Sequence, residues 1–193
     1  MREIEVHTFK TPEAYEKWLS KNHSKSTGIW VRFLKKSHKE SSGEKSITYA
    51  EALDVALCYG WIDSQAAPCD EVSHKQRFTP RGPRSIWSKK NREHVARLIK
   101  EKRMTEAGLE KIAAAKKDGR WASAYDSPAN MEVPADFMKE VSKSKKAEAF
   151  FNTLNKSNRY AIGWRLQTAK KPETRERRMK AILEMLKRGE KFH

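Results

Sequence analysis

Apolar positions change period several times along this chain, and each change marks an element. Thr11-Pro12-Glu13 supplies a helix N-cap, a proline at the first helical position and an early acid. Tyr15, Trp18 and Leu19 follow at helical spacing, which predicts a helix over 12–21 after a short strand from Glu5 to Phe9. Gly28 opens Ile29-Trp30-Val31-Arg32-Phe33-Leu34, a β-branched and aromatic run that reads as a strand buried on both faces. Ser37 to Gly43 reads as a polar loop. Thr48-x-x-Glu51 is a capping box behind Ile47, and Ala52, Leu53, Ala56 and Leu57 give the next helix an apolar stripe that stops near Gly60.

Trp61 to Ala66 then reads as a strand, Pro68 to Glu71 as a turn, and Ser73 to Thr79 as a returning strand with His74, Gln76 and Phe78 on one face. Past Pro83 the helical period takes over. Ser85 or Ser88 caps a helix that runs to about Lys100 with Val95, Leu98 and Ile99 inward. Thr105 caps another to about Lys117 with Leu109, Ile112 and Ala113 inward, and Asp118-Gly119 ends it. Trp121 to Pro134 is an aromatic loop, followed by helices over 134–143, 145–155, 158–170 and 172–188. The fold class is therefore α+β: a small antiparallel or mixed sheet with packed helices, then an all-helical C-terminal module. The expected domains are residues 1–125 and 131–193. Phe137, Phe150, Phe151, Leu154, Trp164, Ile182 and Leu186 are the expected core of the second.

Composition narrows the function. Apolar residues are 37% and charged residues 34% of 193, and 41 Lys+Arg face 25 Asp+Glu for a formal charge of +16. Residues 131–193 hold 16 basic and 8 acidic residues against 25 and 17 in the first 130, so the C-terminal third is about twice as basic per residue. Such a field suits nucleic acid, anionic lipid or acidic ligands, although scattered lysines also serve solubility. Cys58 and Cys69 lack metal or redox spacing, and Cys58 fits a small buried hydrophobe. No secretory leader is visible and no apolar run reaches the length of a membrane helix, so a cytoplasmic location without a membrane span is expected. The chain holds no GxSxG, HExxH, phosphate-loop or GxGxxG pattern, and its six histidines lack ligand spacing. No metal or cofactor is expected.

Four constellations could carry chemistry. Arg81-Gly82-Pro83-Arg84-Ser85-Ile86-Trp87-Ser88-Lys89-Lys90 joins a helix start to hydroxyls and cations, which suits a carboxylate or phosphate as well as ordinary capping. Asp63, beside Arg77 or Arg81 in the folded chain, is either half of a structural ion pair or a ligand-orienting acid or base. Trp30, Trp61, Trp87, Trp121 and Tyr125 are core aromatics or stacking platforms, with Trp87 standing out in its Ser/Arg/Lys turn. Arg175, Arg177 and Arg178 open the last helix against its macrodipole, as phosphate contacts or as ion-pair partners of nearby acids.

Leu57-Cys58-Tyr59-Gly60-Trp61-Ile62-Asp63-Ser64, Gln76-Arg77-Phe78-Thr79-Pro80-Arg81 and Ser85-Ile86-Trp87-Ser88-Lys89-Lys90-Asn91 resemble the YdeI/OmpD-associated family of bacteria. So do Arg103-Met104 with Gly108-Leu109, and Asp118-Gly119-Arg120-Trp121 with Ala124-Tyr125. The tail, from Val133-Pro134 through Ala169-Lys170 to Thr174-Arg175-x-Arg177-Arg178, is similar to the family's helical C-terminal module. Gly82-Pro83 departs from the more basic, less constrained pair expected there. The resemblance implies bacteriocin or antimicrobial-peptide protection and association with an outer-membrane porin, and it assigns no catalytic residues. A chain of charge +16 repels cationic peptides, so protection would act through another partner.

The sequence thus points to a stress- or resistance-associated binding protein. Its expected ligand site gathers Trp61, Asp63, Arg77, Arg81, Ser85, Trp87, Ser88 and Asn91 for a small anionic ligand or a protein partner. A second reading is nucleic-acid binding through Lys170, Lys171, Arg175, Arg177 and Arg178. A third is an enzyme with Asp63 as acid/base.

Overall fold

The computed structural model describes residues 4–193. It contains two compact units: residues 4–85 with 91–122, and residues 86–90 with 123–193. The first unit is built on a four-stranded mixed sheet of order β1-β2-β4-β3, comprising β1 (Val6–His7), β2 (Ile29–Leu34), β3 (Trp61–Asp70) and β4 (Ser73–Pro80). β1 runs parallel to β2, and the other pairs are antiparallel. Helices α1 (Pro12–Asn22) and α3 (Tyr49–Cys58) supply Tyr15, Leu19, Ala52, Val55 and Ala56 to a core shared with Val31, Phe33, Trp61 and Phe78. Tyr15 meets Phe78 edge-on at 6.0 Å, and Trp18 meets Trp61 at 5.9 Å.

The caps form as the sequence dictates. Thr11 accepts from the Ala14 N–H at 3.3 Å. Thr48 and Glu51 close a reciprocal box, with the Glu51 N–H on Thr48 Oγ1 at 3.3 Å and the Thr48 N–H on Glu51 Oε2 at 2.7 Å.

Several elements differ from expectation. The polar stretch after β2 is a helix, α2 (Lys36–Ser42), ended by Gly43 at φ 72°. It buries no residue, so it carries no apolar stripe for periodicity to reveal, and Lys36 pairs with Glu40 one turn on. β2 is not buried on both faces: Trp30 and Arg32 are half-buried between buried neighbours. β3 continues through the expected turn at Pro68 to Asp70, with irregular register at Asp63/Ala66 and Pro68/Asp70. An edge strand tolerates the proline because its outward side needs no N–H.

Helices α4 (Lys89–Lys100) and α5 (Glu106–Lys117) are rotated relative to expectation. Val95 and Leu98 are buried, but Ile99 is 46% exposed. In α5 the buried face is Gly108, Ile112 and Ala115, while Leu109 is 45% exposed and Ala113 is exposed. In α5 the cause is close contact with the end of α3. Thr105 gives its hydroxyl to the Cys58 carbonyl at 2.6 Å instead of capping its own helix. Gly108 lies so near that carbonyl that a Cβ would overlap its oxygen. Gly60, at φ +70°, makes the turn out of α3, and a Cβ there would lie 2.8 Å from the Ala107 carbonyl oxygen.

The second unit is helical: α6 (Ala135–Ser142), α7 (Lys145–Thr153), α8 (Lys156–Gln167) and α9 (Pro172–Lys187). Ser144 and Asn155 cap α7 and α8 through the N–H groups of Ala147 and Asn158. Phe137, Val141, Phe151, Leu154, Ile162, Leu166, Ile182 and Leu186 form the core. Phe150 packs at its margin, and Trp164 instead meets Tyr125 edge-on at 6.2 Å. Residues 86–90 join this unit through a parallel bridge of Ser88 with Tyr125. In it the Lys89 N–H donates to the Tyr125 carbonyl at 2.8 Å and the Tyr125 N–H to the Trp87 carbonyl at 3.0 Å.

The rotation of α5 separates two neighbouring substitutions. Gly108→Ala is expected to lower unfolding free energy by about 1–3 kcal/mol, because its methyl must displace backbone. Leu109→Ala should stay within about 0.5 kcal/mol. Urea titration of both variants distinguishes this face from one with Leu109 inward.

Candidate functional site

Register sorts the sheet residues onto two faces. Val31 pairs with Gln76, Ile29 and Asp63 both pair with Phe78, and these side chains share the face packed by α1 and α3. The alternate residues turn the other way: Trp30 opposite Arg77, Arg32 opposite Lys75, and Ile62 opposite Thr79. Asp63 and Arg77 therefore stand on opposite faces, and the ion pair expected between Asp63 and Arg77 or Arg81 gives way to neutral partners. Asp63 Oδ2 accepts from the Tyr49 hydroxyl at 2.8 Å and lies 3.5 Å from Gln76 Nε2.

The face turned away from α1 and α3 gathers an aromatic and cationic group. Lys75 Nζ lies 5.1 Å from the Trp30 ring centre, within cation–π range. Arg77 stands opposite Trp30 in the ladder, and its Nε is buried with no hydrogen-bond partner among the described residues. Arg32, by contrast, is engaged: it reaches Asp70 Oδ2 at 2.8 Å and Ser73 Oγ at 2.8 Å. Ser73 donates to Asp70 at 2.6 Å, and this bond together with Arg32 holds the Asp70 carboxyl below the usual range. Trp30 and Arg77 stand in the sequence, but their association with Lys75 depends on the pairing of β2 with β4. The signal that could have found it is the strict alternation of Lys75 and Arg77 with buried Gln76 and Phe78.

The other expected site residues are divided between the units. Trp61 is 1% exposed and donates its indole N–H to the His23 carbonyl at 3.1 Å. Arg81 is 3% exposed, and its N–H donates to the Gly60 carbonyl. Ser85 Oγ accepts from the Gly82 N–H at 3.1 Å, closing the Gly82-Pro83 turn on itself, and the Ser85 carbonyl accepts from Arg120 at 3.0 Å. Asn91 lies in the first unit, near the start of α4. Trp87 and Ser88 lie in the second unit; Trp87 is 1% exposed, so it is a core residue rather than an exposed platform. Arg120, outside the expected site, is buried and paired with Asp118 at 2.7 Å. Outside it too are the cations around Trp121, where Arg92 and Lys116 lie 5.2 and 5.6 Å from the ring. Cys58 is buried, which pushes its thiol up to about 11; Cys69 is exposed.

In the second unit the arginine cluster is largely committed to structure. Arg175 grips Asp136 with two bonds of 2.7 and 2.9 Å, and Arg178 donates to the Arg165 carbonyl at 2.6 Å. Arg177, Lys170 and Lys171 are exposed. Two of the three arginines thus act as staples between helices, which weakens the phosphate-contact reading of this cluster.

Among the described residues no helix is long and apolar enough to cross a membrane. Residues 7–111, more than half of the 193, match the family described as a domain of unknown function (DUF8412). Residues 130–189 match the family described as bacteriocin-protection, YdeI or OmpD-associated. Nothing matches among curated proteins or solved structures.

The Arg175 bonds hold the Asp136 carboxyl below the usual range. Its stabilisation is therefore present above the unfolded-state value and is lost as pH falls below about 4 through the depressed folded value. Asp136→Asn should cost at most about 1 kcal/mol at neutral pH, because the carboxylate is half exposed. It should also flatten the acid limb of the stability curve. Urea unfolding at neutral and acid pH checks both.

Proposed function

The chain belongs to the domain family of unknown function that covers residues 7–111, and it carries at 130–189 a module of the YdeI/OmpD-associated, bacteriocin-protection family; from that premise we propose that it is a stress- or resistance-associated binding protein that takes an anionic ligand bearing a flat ring. The observation that carries this is the sheet-face group of Trp30, Lys75 and Arg77. The indole is a half-buried flat ring with the Lys75 ammonium over it, and the guanidinium has no acid in a salt bridge with it among the described residues. Stacking supplies affinity for the ring and the two cations select a carboxylate or phosphate.

A protective role is consistent with this chemistry only through an anionic partner. At +16 the chain repels cationic peptides over the range that salt leaves unscreened. A cytoplasmic location agrees with the reading but does not carry it. Single-stranded nucleic acid is the second reading, since stacking on an aromatic beside cations is how such strands are held. Trp30 is a single platform, however, and a strand needs successive ones. A small aromatic anion therefore fits better. The eight-residue junction read from the sequence contributes Arg77 to this proposal, while Trp61 is buried in the core of the same unit and Trp87 is buried in the other unit.

A nucleoside monophosphate serves as the probe in isothermal titration, with the uncharged nucleoside and generic single-stranded DNA as controls. The phosphate form should bind measurably more tightly than the nucleoside. Trp30→Ala should cost about 1–3 kcal/mol of binding, and Lys75→Ala a smaller amount. Equal binding by the Trp30→Ala variant removes the sheet face from consideration. Strong, steeply salt-dependent DNA binding would favour the second reading.

A further inference from the structure

We propose that the hollow between α8 and α9 is a binding site for a medium-chain amphiphilic carboxylate. It is an open hollow of about 490 Å³, lined entirely by residues of the second unit, a volume in the range of small-molecule sites. Ala181, Ile182 and Met185 of α9 and Phe192 beyond it give an apolar lining. Phe192 is held in place by the buried Asn158, whose Oδ1 accepts the Phe192 and His193 N–H groups at 3.1 Å each. Met185 brings an unbranched, adaptable side chain to the lining, which suits a flexible alkyl chain.

The charge on this lining is what selects the ligand class. Arg188 and Glu190 neutralise each other through two bonds of 2.9 Å. Arg165 and Arg178 remain, and neither pairs with an acid among the described residues. Arg165 has its guanidinium carbon over Phe192, 3.8 Å from the ring centre, and spends one nitrogen on the Ala161 carbonyl. Arg178 spends Nη1 on the Arg165 carbonyl and Thr168, and among the described residues Nε and Nη2 are left as an uncommitted side-on fork. Two parallel donors of this kind match a carboxylate. An apolar cavity with two unneutralised guanidinium groups is therefore complementary to a molecule that is oily along its length and anionic at one end. This site is separate from the sheet face, and its chemistry requires no ring.

Titration of the full chain with octanoate, decanoate and the neutral analogue octanol tests the assignment. Octanoate should saturate one site, with octanol about tenfold weaker or more. Decanoate should bind several-fold more tightly, since each buried CH₂ is worth up to roughly fourfold. Ala181→Trp fills the cavity and should abolish binding while the melting temperature holds. Arg178→Gln should weaken octanoate about tenfold and leave octanol unchanged. Because Arg178 also ties α9 to α8, Arg165→Gln is measured beside it, and each variant's circular dichroism confirms that it folds. Trp30→Ala should leave octanoate binding intact, which separates this site from the sheet face. Absence of saturation by either carboxylate, equal affinity for octanol, or unchanged binding in Ala181→Trp would each overturn the proposal.

Discussion

β4 lies between β2 and β3, and its register with both fixes the use of nearly every side chain in the first unit. Val31 opposite Gln76 and Ile29 opposite Phe78 turn one row toward Tyr15, Leu19 and Val55. The same pairing turns Trp30, Lys75 and Arg77 the other way. A slip of one residue in this ladder would drive Lys75 and Arg77 into the core and expose Phe78. Burying two cations without partners costs far more than the ladder gains, so the hydrophobic row and the cationic row specify the same register. The candidate ligand face is a by-product of the constraint that builds the core.

Tight backbone contacts set the rest of the first unit. The end of α3 presents the Cys58 carbonyl, which accepts from the Thr105 hydroxyl and lies against Gly108. Because no side chain intervenes, α5 approaches α3 with its glycine face, and Leu109 is carried out to solvent. Gly60 and Gly108 share this one requirement, close passage of two backbones.

Charge in the second unit is divided between structure and surface. Arg175, Arg178 and Arg188 make internal bonds that tie α9 to Asp136, to the α8 backbone and to Glu190. Arg175 and Arg188 are neutralised by their partners, while Arg178 gives one nitrogen to a carbonyl and keeps its charge. Net charge counted from sequence treats these arginines alike. Their chemical availability differs because only geometry says which acid lies within reach.

The sequence by itself determined the elements whose signals are local. Thr11-Pro12, Thr48-x-x-Glu51, Pro134 and Pro172 mark helix starts because a cap and its helix lie within four residues, and the structure has all four. The α+β class, the helical tail and the YdeI/OmpD-associated resemblance were legible for the same reason. The tertiary structure decided what depends on distant partners. α2 has no buried face to betray it, Pro68 lies in a strand because β3 is an edge, and Leu109 and Ile99 point outward because other faces of their helices are packed. Trp87 is core despite its polar neighbours, and Asp63 bonds Tyr49 in place of an arginine. Lys75 meets Trp30 across a ladder linking residues 45 apart, and the hollow lined by Arg165, Arg178 and Phe192 exists only once α8, α9 and the following segment close together. Local sequence carries capping and periodicity, whereas register, helix rotation and the pairing of charges are settled by burial and steric contact between segments far apart in the chain.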